Sequence, residues 1–164
     1  GLYLGSILSL VSVLIYAINI DLFTEWWLGI ILFVIVVGYG VVSSIKSRTI
    51  LGGFISFKHA FTSYFITIAI GTLIATVVGI AIFTFIDPEA ATYLNEQILL
   101  LTKQTMERFG MPQEAMQAAL DEAAKKDNFS LAAQSQAFVF RLAFYAVIGL
   151  IVALIVKKTD DKEA

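Results

Sequence analysis

The sequence predicts an all-α integral membrane protein with four transmembrane helices and an extracytoplasmic helical hairpin between the third and fourth. Two observations carry this. Apolar stretches at about 2–20, 26–45, 60–86 and 137–156 are each long enough to cross a bilayer, and the polar stretch between the last two, about 87–136, repeats its apolar residues at helical spacing. A hydrocarbon core of about 30 Å needs about 20 helical residues. Lipid offers the backbone no hydrogen bonds, so a single span satisfies its own as a helix. The composition agrees, with 59% hydrophobic residues and a mean hydropathy of +0.85. All 164 residues form one membrane domain.

The first stretch has no basic leader and no small-x-small cleavage site, and its apolar run exceeds a signal-peptide core, so it reads as a retained helix. The chain opens on Gly1, and further residues are expected to precede it. The first link carries Asp21 and Glu25 and no cation, and Trp26 and Trp27 begin the second span, where an aromatic belt sits at an interface. The second link carries Lys46, Arg48 and Lys58, and the C-terminal tail carries Lys157, Lys158 and Lys162. By the positive-inside rule this link and both termini face the cytoplasm. Lys157 and Lys158 are placed to snorkel, and the tail from Thr159 to Ala164 is expected to be disordered. In the link, Gly52 and Gly53 permit a sharp turn, Phe54, Ile55 and Phe57 suit an interfacial anchor, and Ser56 can cap the third span.

Asp87-Pro88-Glu89 is a helix start, with Asp as N-cap, Pro in the first turn and an acid at the positive end of the helix dipole; a third span running on through a kink at Pro88 is the alternative. Ala91, Leu94, Ile98, Leu101 and Phe109 then share one face. Gly110 suits a helix end, and Pro112 with Glu114 opens a second helix to about Lys126 with a thin stripe of Met116, Ala119, Leu120 and Ala123. Ser130 can cap the last span.

Within the spans, Ser63, Thr67, Gly71, Ala75 and Gly79 recur every fourth residue, a face that lets another helix approach closely; Ala146, Gly149 and Ala153 form a similar strip on the last span. That packing belongs within one subunit or to a homo-oligomer or partner. Arg141 is the one charge inside a span, about one turn below its outer end, and intramembrane charges mark function or snorkel. Asp87 and Asp21, near the same depth, are its candidate ion-pair partners, and an anionic headgroup is the other.

Several chemistries are excluded or disfavoured. The absence of cysteine removes disulfides, thiolate metal sites and Cys-linked lipids. His59, the single histidine, has no second His or Cys for zinc and no catalytic partner. The glycine pair lacks the lysine and spacing of a phosphate loop. A proton relay would need a deep Asp, Glu or Lys, and the spans hold none. A net charge of −2 gives no pull toward nucleic acid. No catalytic residue, cofactor or metal site is assigned, and the chain is expected not to be an enzyme.

Gly52-Gly53-Phe54-Ile55-Ser56-Phe57 followed by Ala60-Phe61, then Phe85-Ile86-Asp87-Pro88, the external helices around Gly110-Met111, and Leu154-Ile155-Val156-Lys157-Lys158 resemble a Bacteroidota membrane family, domain of unknown function 4199. Ser130-Leu131-Ala132 departs from it where a proline-bearing start is expected. The resemblance implies a four-span inner-membrane protein with no assigned activity, and genes often found beside a glycosyltransferase resembling polyprenyl-phosphate sugar transferases. The expected function is a non-catalytic accessory, assembly or anchoring subunit among membrane lipids, acting through helix packing on a membrane protein or its own copies. The alternatives are a carrier or binder of a lipid or polyprenyl-linked sugar, a partner of a membrane glycosyltransferase, and, further off, an oligomeric channel.

Overall fold

The computed structural model describes residues 1–159; the charged tail at 160–164, Lys162 included, lies outside the described residues. Helix α1 (Leu2–Ile18) leads through a 3₁₀ turn (Ile20–Thr24) into α2 (Trp26–Ile50). Helix α3 (Phe57–Ile80) ends in a π-helical turn (Ala81–Ile86), followed by α4 (Pro88–Arg108), α5 (Gln113–Ala124) and α6 (Leu131–Val156). Three segments, Trp26–Ile50, Phe57–Ile86 and Leu131–Val156, are long and apolar enough to cross a membrane. Their outward surfaces stay apolar at Ile31, Val34, Val42, Leu73, Val77, Val147, Ile151 and Ile155. A surface of this kind needs a lipid or protein cover, the pattern of a membrane protein. Helix α1 has 17 residues, the lower limit for a crossing.

The helix ends differ from the hydropathy reading where polar residues continue a helix that apolar residues began. Helix α2 runs on to Ile50 through Lys46 and Arg48, and α6 starts six residues before its apolar stretch, at Leu131, where Ser130 caps it as expected by accepting from the Ala133 amide at 3.1 Å. At Pro88 the third span does not run on: Asp87 (φ −142°, ψ 79°) breaks the chain and caps α4, accepting from the Ala90 amide at 3.1 Å. Gly110, at φ +69°, closes α4, and α5 stops at Ala124, two residues short of expectation.

Helix α3 is the hub, packing against α1, α2 and α6. At the end carrying Lys46, Arg48 and Lys58 the contacts are tight. The Tyr64 ring is fully buried between Gly40 of α2 and Gly149 of α6, where a Cβ on either glycine would come within 2.6 Å of it. A hydroxyl ladder runs beside it: Thr67 Oγ1 donates to Ser43 Oγ at 2.7 Å, Ser63 Oγ to Ser47 Oγ at 2.8 Å, and buried Ser44 Oγ to the Ala60 carbonyl at 2.7 Å. The same end is latched to the chain's last described residues. Gly52 and Gly53 (φ +84° and +95°) turn the link so that Ile55 and Lys158 exchange two backbone hydrogen bonds of 2.9 Å, while Arg48 Nη1 donates to the Val156 carbonyl at 3.1 Å.

Helix α1 runs parallel to α3 along its other half, with Gly1 beside Ile70, Leu4 on Gly71 and Tyr16 against Phe83. There the π-helical turn and α4 form a second core of Ile82, Phe83, Ala90, Ala91 and Leu94. Tyr16 donates to Asp87 Oδ2 at 2.8 Å and Tyr93 to Asp21 Oδ1, which ties α1 and its turn to α4.

Candidate functional site

The row of small residues on α3 has separate local roles within this chain. Ser63 and Thr67 bond to α2, and Gly71 receives Leu4 of α1, whose Cγ and Cδ2 lie 2.7 Å from where a Cβ would sit. Ala75 and Gly79 touch neither ladder; they line a cavity of about 340 Å³. The strip on α6 does not mate with this row: Gly149 accommodates the rings of Tyr64 and Phe61 instead.

The cavity lies where the helices separate. Leu32 and Val36 of α2 face Thr72, Ala75 and Thr76 of α3 across it, Leu8 and Ser12 of α1 form another wall, and Gln134, Arg141 and Tyr145 of α6 the last. Phe23, Phe83 and Phe129 line the end near α4. Its space has a sequence cause, since side chains on α3 shrink to Ala75 and Gly79 and a Cβ at Gly79 would meet nothing within 4 Å.

Most hydroxyl protons in the lining are already committed. Thr72 donates to the Ile68 carbonyl at 2.7 Å, Thr76 to Thr72 at 2.7 Å, and Ser12 to Leu8 at 2.9 Å, each back onto its own helix. Gln134 donates to the Asn128 carbonyl at 3.0 Å. No carboxylate among the described residues lines the cavity.

Arg141 therefore stands apart. The single ion pair among the described residues joins Lys125 to Glu122 at 3.9 Å, so the expected pairing of Arg141 with Asp87 or Asp21 is not formed. The Asp87 carboxylate accepts from Tyr16 and the Ala90 amide, and the Asp21 carboxylate accepts from Tyr93. Along α6, Arg141 stands ten residues from the helix start, roughly 15 Å along the axis. It shares the cavity with Thr72, fifteen residues from Phe57 and fourteen from Ile86, near mid-height of the bundle's longest helix.

No group of His, Asp or Glu among the described residues could hold a metal ion. His59 sits in the first turn of α3 with Nδ1 2.9 Å from Ser56 Oγ, whose oxygen also accepts from the His59 amide, so both side chains serve the α3 cap. The sequence reading overlooked Ser43, Ser44, Ser47 and the buried Tyr64. The available signal was the spacing of four between Ser43 and Ser47, matching that between Ser63 and Thr67.

Outside the bundle, the α4 face named from the sequence is only half covered. Ala91 and Leu94 are buried, Ile98 is partly covered, Leu101 is 41% exposed, and Phe109, just past the helix end, is 84% exposed. Helix α5 touches α4, and Met116, Ala119, Leu120 and Ala123 are its less exposed residues, yet it buries none.

No curated protein and no solved structure matches the chain. The model of the family described as "Protein of unknown function (DUF4199)" matches residues 1–158, and the chain belongs to that family.

Proposed function

We propose that this protein is a non-catalytic accessory or assembly subunit of a bacterial inner membrane. In this reading it has four spans, both termini lie in the cytoplasm, and α4 and α5 form an extracytoplasmic hairpin that docks on a membrane-protein partner. The half-bare face of α4 carries the reading. Leu101 and Phe109 continue the line begun by the buried Ala91 and Leu94, so the helix presents an apolar surface beyond the point where its own chain covers it. Helix α5, 12 residues long with nothing buried, is too short to be stable by propensity alone and would gain from a cover.

Charge favours protein over lipid as that cover. Residues 87–136 hold eight carboxylates and four cations, and α5 has Glu114, Asp121 and Glu122 with no basic residue. Helices that rest on anionic bilayers are rich in Lys and Arg on the polar face, and this one is the reverse. Four spans agree with α1 at the lower length limit, and the orientation agrees with the basic residues gathered at the Ile55–Lys158 end.

The test is a photo-crosslinking residue at Phe109 or Leu101 in cells at native expression, followed by mass spectrometry. A single stoichiometric protein adduct is the expected result, and the same protein no longer co-purifies when Leu101→Asp and Phe109→Asp are combined. Adducts to lipid alone, or a co-purifying partner unaffected by the double change, would overturn it.

A further inference from the structure

We infer that the cavity holding Arg141 is a binding site for an anionic amphiphile, a molecule with one acidic head and a hydrocarbon chain. The inference is independent of the docking role proposed for α4 and α5, since it rests on the opposite side of the second core.

Three observations converge on this class of ligand. The first is the guanidinium. A charge inside a membrane helix is costly to bury unpaired, and no carboxylate among the described residues pairs with this one. Its five N–H donors in a planar fork match the oxygens of a carboxylate or phosphate. The second is the state of the other polar groups. Thr72, Thr76 and Ser12 have given their protons to backbone carbonyls, which leaves Arg141 to supply the positive charge and the Tyr145 hydroxyl, four residues on, as a second donor in the lining. The third is the wall. Leu8, Leu32, Val36, Ala75 and Phe83 make the remainder apolar, which suits a chain and not a sugar or a free inorganic anion.

Size and access limit the ligand further. At about 340 Å³ the cavity is at the small end of ligand pockets, enough for a head and the first part of one chain, not a whole two-chain lipid. Arg141 is exposed as well as cavity-lining, so the acid need not be sealed in and the chain can extend into the surrounding bilayer. The acid group thereby rests below the level at which headgroups normally lie.

Two sources share this chemistry, a membrane phospholipid and a free long-chain acid, and the experiment separates them. The full chain is placed in phosphatidylcholine nanodiscs doped with either phosphatidylglycerol or oleate. Retained molecules are counted by native mass spectrometry after detergent release. One acid amphiphile per chain is expected, and the dopant retained names the source. Arg141→Gln lowers retention roughly tenfold or more, as loss of one partner of a desolvated charge pair does, while Arg141→Lys keeps part of it. Gly79→Leu fills the cavity from a position where a side chain meets open space, and it blocks retention with Arg141 intact. If Arg141→Gln fails to fold, Gly79→Leu alone decides. Equal retention by wild type and Gly79→Leu, or retention of phosphatidylcholine as strong as that of the acids, overturns the inference.

Discussion

Gly149→Ala tests the tightest contact in the bundle. The added Cβ would lie 2.6 and 2.7 Å from two Tyr64 ring carbons and 3.1 Å from Phe61, against a comfortable carbon–carbon separation of about 3.5–4.0 Å. The ring must therefore retreat by about 1 Å. It has nowhere to go, because a Cβ at Gly40 would already come within 2.6 Å of its opposite edge and Tyr64 is wholly buried. Overpacking of this kind costs about 1–3 kcal/mol, and a doubly clamped ring puts the cost toward the upper end. Alanine's better helix propensity returns about 1 kcal/mol. The net expectation is a loss of about 1–2 kcal/mol, measured by denaturant titration in detergent micelles. Gly38→Ala is the control: it sits on α2 with open space around its Cβ, so it gains the propensity without the clash. In a Tyr64→Leu background, Gly149→Ala should lose its penalty. If Gly149→Ala and Gly38→Ala agree within about 0.5 kcal/mol, the clamp is not tight and the reasoning fails.

Three further expectations follow from single interactions. Tyr64 is buried with its hydroxyl unpartnered, so Tyr64→Phe should leave stability unchanged or raise it; a loss above about 1 kcal/mol in the same titration would mean the hydroxyl has a partner. The hydrogen bond to Asp21, then burial and the carboxylate's charge, raise the Tyr93 phenol above its ordinary value near 10. That bond's contribution is full below the ordinary tyrosine value and fades as pH rises through the raised one, so Tyr93→Phe should flatten the alkaline limb of a stability–pH curve; an unchanged limb refutes the assignment. Arg48→Gln removes a charged donor from the Val156 carbonyl, and faster amide hydrogen exchange is expected at Ile55 and Lys158, with none at Ala133 at the far end of α6.

The sequence by itself determined the helices, their caps and the apolar surface, because these follow from local chemistry. The Asp87-Pro88 start, Ser56 and Ser130 as caps and Gly110 as a terminator depend on residues within one or two turns, and each took the expected role. Partnership was not legible. A row of small residues signals close approach without saying what approaches, and here the same row meets α2 at Ser63 and Thr67, Leu4 at Gly71, and empty space at Gly79. Spacing alone offered Asp87 and Asp21 to Arg141, but two tyrosines far off in sequence reached those carboxylates first. Only the tertiary packing decided that Arg141 stays unpaired beside a cavity, since a void arises where helices diverge, and divergence is a property of several helices at once.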